Sequence, residues 1–180
     1  MSRAAAFAMV LVAAAASPAG AEPRRRLEAV ALGAAYHEHS VFDVNTYGTS
    51  PTLTLEAGAF VTPEIGFAVL VRGQRYVERI RDQGDSSRRT DVFAGVRVYF
   101  QPTPERLLAA IGAGFLVARK FDPAISDEGY ATQKFVEAYV GWAVLRSRCT
   151  DLELGAHAGY SPDEEYVWAG LALGVRRRAW

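Results

Sequence analysis

Seven charged side chains set the chemical question: Glu56, Arg72, Asp91, Arg97, Glu137, Glu153 and Arg176, each within a largely apolar or glycine-rich stretch. Tyr99, Tyr139 and His157 stand an even number of positions from one or another of them. In "DVFAGVRVYF", residues 91–100, Asp91, Gly95, Arg97 and Tyr99 share one parity, while Val92, Ala94, Val96, Val98 and Phe100 share the other. A strand sends alternate side chains to opposite faces. Acids and bases therefore gather on one face, away from an unbroken apolar one. Such groups are stable out of water only when paired and hydrogen-bonded. The chemistry open to them is a salt-bridge network that fills a closed interior or, less favoured, a gated path for ions or protons.

Other residue types suggest transfer chemistry. His37, His39 and Ser40 lead into one polar stretch, and Asp82, Asp85, Ser86 and Ser87 lie in a second. Histidine, serine and aspartate can form a nucleophile with its base, but only in a mutual geometry that spacing does not specify. His37 and His39 share a strand face, yet no third ligand accompanies them, so no metal site and no cofactor is expected. Two basic runs, Arg24–Arg26 and Arg176–Arg178, form a further candidate, a patch able to sit on lipid phosphates.

Positioning these groups requires strands. Parity delimits eight, at about 27–37, 52–61, 64–76, 89–100, 106–119, 133–145, 151–160 and 165–177. One parity is apolar in nearly all of them, as in Leu107, Ala109, Ile111, Ala113, Phe115 and Val117, or Val167, Ala169, Leu171, Leu173 and Val175. The other holds small residues with isolated charges: Ala29, Ala31 and Gly33; Gly112 and Gly114; Gly170 and Gly174. A soluble lipocalin-like barrel or sandwich would bury the apolar parity, but eight such faces would overfill an eight-stranded core. Inverted, with small and charged residues inside, the pattern fits a narrow closed barrel in a membrane. An arginine on the lipid face at the midplane would cost about 2–4 kcal/mol; turned inward, Arg97 can meet carboxylates.

The connections alternate. Those at 62–63, 101–105 and 146–150 are short; "EHSVFDVNTYGTSP" (38–51), "VERIRDQGDSSR" (77–88) and "KFDPAISDEGYAT" (120–132) read as long polar loops, and "SPDEE" (161–165) is short for its side. Residues 1–21 combine Arg3, an apolar run and the Ala19-x-Ala21 pattern of a cleaved secretory signal, which makes 22–180 the barrel domain. No later segment reaches the ~18 apolar residues of a membrane helix. With 20 basic and 20 acidic residues the charge is balanced, and nothing points to nucleic acid. All the basic residues but Lys120 and Lys134 are arginine, which suits partly desolvated ion pairs. The lone Cys149 allows no internal disulfide.

Strand count, parity and loop rhythm together resemble the small eight-stranded outer-membrane β-barrels of the OmpA transmembrane-domain type. The resemblance implies an all-β, eight-stranded antiparallel up-and-down transmembrane β-barrel in the cell outer membrane, with short turns and both termini on the periplasmic side. Outer-membrane lipids and lipopolysaccharide are its implied surroundings. The last strand, "YVWAGLALGVRRRAW", resembles the signal such barrels present to the barrel-assembly machinery, ending on the aromatic Trp180. Leu171, Leu173 and Val175 are odd and Trp180 even, so either a bulge shifts the register or the signal is weak. Barrels of this size also include lipid A-modifying enzymes. "DSS" at 85–87 resembles the Asp-Ser pair of a palmitoyltransferase, and His157 stands where a deacylase carries His-x-Ser, but residue 159 is glycine, so that nucleophile is missing. The resulting expectation is a structural or surface-interaction protein with a plugged lumen, ahead of a small passive channel and of a lipid A-modifying enzyme. An extracellular partner of the long loops is implied without being identified.

Overall fold

The computed structural model describes residues 26–41, 44–80, 86–101, 106–122, 127–147, 150–163 and 165–179. The expected signal segment, Arg24, Arg25, Asp82, Asp85, Cys149 and Trp180 lie outside them, as do the side chains of Ser40, Ser86, Ser87 and Arg178. Eight strands follow one another: β1 (Arg26–Val41), β2 (Val44–Phe60), β3 (Ile65–Ile80), β4 (Ser86–Phe100), β5 (Leu107–Asp122), β6 (Asp127–Arg146), β7 (Thr150–Ser161) and β8 (Tyr166–Ala179). Each pairs antiparallel with its sequence neighbours, and β1 pairs with β8 to close the barrel. The starts of β1 and β5 and the end of β8 lie at one end, called here the base; the other end is the mouth.

Alternation decides the wall. On β8 the odd residues Val167, Leu171, Leu173 and Val175 are exposed, while Tyr166, Trp168 and Arg176 are buried inside. β1 does the same with Val30, Leu32 and Tyr36 outside and Leu27, Ala35, His37 and His39 inside. In water, so continuous an apolar exterior would drive association; against acyl chains it is the stable surface. Phe100 and Trp142 toward the base and Tyr36 and Tyr160 toward the mouth are also exposed, and they flank this belt as interfacial aromatics do. Leu171, 63 % exposed at the middle of β8, gives a direct check. Leu171→Arg is expected to destabilise the inserted barrel by about 2–4 kcal/mol in denaturant titrations from lipid vesicles.

One expectation is corrected here. The long loops are largely strand: β1 and β2 stay paired up to Val41↔Val44, and β3 and β4 up to Arg79↔Ser86. The polar residues expected as loop still alternate where they are described, with Glu38, Tyr47 and Thr49 outward and His39, Gly48 and Ser50 inward, so the ladder continues beyond the belt. Strands of 16, 17 and 20 residues (β1, β2 and β6) exceed the roughly 9–11 that span a bilayer, so their mouth ends form a raised wall. Of the two alternatives for the last strand, the bulge is not found among the described residues: β8 pairs in unbroken register through Arg26↔Ala179. The register shift lies instead in β6, between Ala143 and Leu145, where Val144 and Leu145 both turn outward.

Candidate functional site

The interior is the densest concentration of chemistry, and it is layered. Toward the base Leu27, Phe60, Ala68, Leu108 and Ala110 form an apolar floor with Tyr99 and Tyr139. Above it three arginines and three glutamates from six strands alternate in a chain. Arg72 donates from Nη2 to Glu137 at 2.7 Å, and Arg97 donates from Nε to the other oxygen of Glu137 at 2.6 Å. Arg97 Nη1 also pairs with Glu56. Glu56 in turn lies 3.8 Å from Arg176 Nη1, and Arg176 donates to both oxygens of Glu153 at 2.9 and 2.8 Å. Tyr99 donates to Glu56 and Tyr139 to Glu153. The guanidinium of Arg97 lies 4.6 Å from the Tyr139 ring centroid, and that of Arg176 lies 4.9 Å from Tyr99. Every charge thus has an opposite neighbour, and the set is neutral, which is what burial requires.

Parity brought these residues to the lumen, and closure of the sheet brought them together. Asp91 does not join them. It sits nearer the mouth, accepting from Arg89 Nε at 2.7 Å, from Gln74 at 3.0 Å, and from the hydroxyls of Tyr76 at 3.0 Å and Tyr166 at 3.1 Å. The reason is its place on β4, six residues and hence three inward positions from Arg97, with Phe93 and Gly95 between. His157 faces the lumen, its ring over Gly170, where a Cβ would come within 2.6 Å of Nε2. It lines a cavity of about 20 Å³ with Thr54, Glu56, Arg97, Tyr139 and Glu153, room for about one water.

Between the two networks lies a layer that the charge-led reading passed over: Leu70, Phe93, Leu116, Phe135, Tyr166 and Trp168. Phe93 stands 5.0 Å from Trp168 and 5.4 Å from Phe135, centroid to centroid. Gly159 makes room for this layer, since a Cβ there would fall 2.1 Å from Trp168 Cζ2. Gly159, two residues after His157, thus supports an indole packed across the lumen. The signal was present in the sequence: Phe93 and Phe135 share the parity of Arg97 and Glu137, and Trp168 that of Arg176.

His37 is buried, with its ring centroid 3.6 Å from that of Tyr76, while His39 Nδ1 lies 3.4 Å from Thr46 Oγ1. Among the described residues no group of three metal-ligating side chains is found. The six-arginine patch is also revised. Arg176 is 2 % exposed and belongs to the lumen, because consecutive strand residues cannot share a face. Of the described members, Arg26 and Arg177 remain exposed at the base.

No protein-family model and no curated protein matches the chain. Its fold is found among solved structures. Neisserial surface protein A is 19 % identical, with a TM-score of 0.56 over 83 % of this chain and 96 % of that one. Ail, the attachment invasion locus protein of Yersinia pestis, is 15 % identical, with a TM-score of 0.56 over 86 % and 99 %. OprG, an outer-membrane protein of Pseudomonas aeruginosa, is 8 % identical, with a TM-score of 0.53 over 87 % and 97 %.

Proposed function

We propose that this chain, which has the fold of the small eight-stranded outer-membrane β-barrels, is a non-conducting membrane platform whose work is done on its outer surface. One observation carries the reading: the lumen is filled twice over, by a neutral six-member ion-pair chain and by an aromatic layer nearer the mouth. Eight strands enclose a bore that side chains can fill, and beside His157 the described residues leave a cavity of water size. Buried charges act as rivets between strands, and the hairpins raised above the belt offer a stiff surface for a partner outside the cell. In this reading Arg26 and Arg177 meet inner-leaflet phosphates at the base, and the closing strand β8, which Trp180 follows in the sequence, is the part offered to the assembly machinery.

Planar-bilayer recording of the refolded barrel tests the proposal, with insertion verified by the mobility difference between boiled and unboiled samples. Inserted protein is expected to pass no steady current. A stable unitary conductance would overturn the platform reading in favour of a small channel. A change in the mass of lipid A on expression would overturn it in favour of an enzyme.

A further inference from the structure

The ladder between β2 and β3 is interrupted near the mouth. It is paired at Thr46↔Ile80 and Tyr47↔Arg79, and again from Thr52↔Gln74 to Phe60↔Gly66, on one unchanged register. Between these blocks residues 48–51 stand opposite 75–78 without forming ladder pairs. Among the described residues the other seven seams run on without such a gap, and the one irregularity elsewhere is the shift in β6. The two strands still touch: a Cβ on Gly48 would fall 3.0 Å from the Val77 carbonyl oxygen and 3.1 Å from His37 Nε2. Contact without a ladder leaves the backbone groups that face the gap without a strand partner, and Pro51 has no N–H to offer. A stretch held by so few hydrogen bonds opens locally at low cost.

Behind the gap lies a group of buried side-chain atoms that lack hydrogen-bond partners. They are His37 Nδ1 and Nε2 on β1, Ser50 Oγ and Thr52 Oγ1 on β2, and Gln74 Oε1 on β3. All four residues face inward and are no more than 4 % exposed. Register brings them together, through His37↔Gly48, Ala35↔Ser50 and Thr52↔Gln74. Buried polar atoms are ordinarily paired, and those that the protein leaves over are satisfied by water or a polar solute. Outside the gap Thr49 and Arg75 are exposed, and the register partner of Thr49 on β1 is Tyr36, which borders the belt. The gap therefore faces the headgroup level and not the acyl chains. Arg72, one inward position from Gln74 toward the base, already belongs to the ion-pair chain.

We propose that the gap between β2 and β3 is a side port, through which water and small uncharged polar solutes reach His37, Ser50, Thr52 and Gln74. The atoms waiting there are mixed in kind. A hydroxyl both donates and accepts, a neutral imidazole does one with each nitrogen, and an amide oxygen accepts. The nearest charges, Arg89 and Asp91, are already paired with each other at 2.7 Å. An uncharged molecule that donates and accepts suits this set, whereas an ion would arrive without a counter-charge. Opening the gap joins the cluster to the outside while the ion-pair chain, on its base side, still closes the lumen. The inference thus neither rests on the non-conducting reading nor falls with it.

The test combines amide hydrogen exchange of the refolded full chain, read residue by residue by NMR, with acylation by diethyl pyrocarbonate. Fraying from the mouth would give rates that fall steadily toward Thr52. A port is expected to give a local maximum instead: seam-facing amides in 48–50 and 75–78 should exchange at least ~10-fold faster than those in 46–47 and 79–80, which lie nearer the mouth. The reagent should label His37 at least ~10-fold faster than His157, which lies below the aromatic layer. Thr49→Cys with Val77→Cys, in a Cys149→Ser background, staples the gap from outside, because both residues are exposed and stand opposite when the register is carried through it. Oxidising that pair should slow labelling of His37 several-fold and reducing it should restore the rate, with the mobility shift intact in both states. Exchange that falls steadily from the mouth, or labelling of His37 no faster than of His157, would overturn the proposal. So would labelling that the staple leaves unchanged, which would put the entrance at the mouth.

Discussion

Glu137→Leu is expected to cost the barrel about 3–5 kcal/mol, because it strands two buried guanidinium groups in one step. Glu137 accepts from Arg72 with one oxygen and from Arg97 with the other. Neither arginine can reach water, both being no more than 1 % exposed. Their remaining partners are unequal. Arg97 keeps Glu56, whereas Arg72 keeps a 3.3 Å hydrogen bond to Thr54 Oγ1 and the ring of Phe93 at 5.4 Å. The end of the chain should therefore be removable as a pair. Adding Arg72→Met to Glu137→Leu leaves Arg97, Glu56, Arg176 and Glu153, again two charges of each sign, and is expected to recover most of the lost stability. Equilibrium urea unfolding from vesicles, followed by tryptophan fluorescence, provides the four corners of the cycle. A double variant no better than Glu137→Leu alone would mean that Arg72 is held by something other than this carboxylate.

Trp168→Ala carries the second large effect, about 3–5 kcal/mol from a buried indole whose neighbours are held on separate strands and cannot collapse inward. Trp168 is 1 % exposed and touches Phe93, Phe135 and Tyr166, at centroid distances of 5.0, 5.9 and 5.4 Å. Despite the cavity left behind, the variant is expected to remain electrically silent, because the ion-pair chain closes the lumen independently on the base side. Current should appear only when Arg97→Ala is added, which removes the side chain bridging Glu56 and Glu137. Current from Trp168→Ala alone would show that the aromatic layer is the sole seal. Unfolding titrations and bilayer recordings on the same samples separate the two effects.

The substitutions that bear on the lumen act on residues of very different legibility. Arg97 and Glu137 stood out as charges on the small-residue parity, while Trp168 shared that parity unnoticed among the apolar residues of the last strand. Polarity makes 38–51 look like loop, yet the described residues at both ends of that stretch still alternate, with Glu38, Tyr47 and Thr49 outward and His39, Gly48 and Ser50 inward. Polarity reports the solvent around a strand and not whether the strand goes on. Three arginines at 176–178 were read as one patch, although a strand must send the first inward and the second outward.

By itself the sequence determined the strand count, the inverted wall with its apolar face outward, and the set of charges facing the lumen, because a side-chain period of two is a local property of extended chain. The tertiary structure alone decided which charge meets which. Arg97 reaches Glu56 from two strands away, and Arg176 reaches Glu56 across the β1–β8 seam, while Asp91, on the same face of the same strand as Arg97, belongs to a different network. Those pairings depend on the stagger with which eight tilted strands close on themselves. That stagger is a single property of the whole barrel, to which no short stretch of residues corresponds.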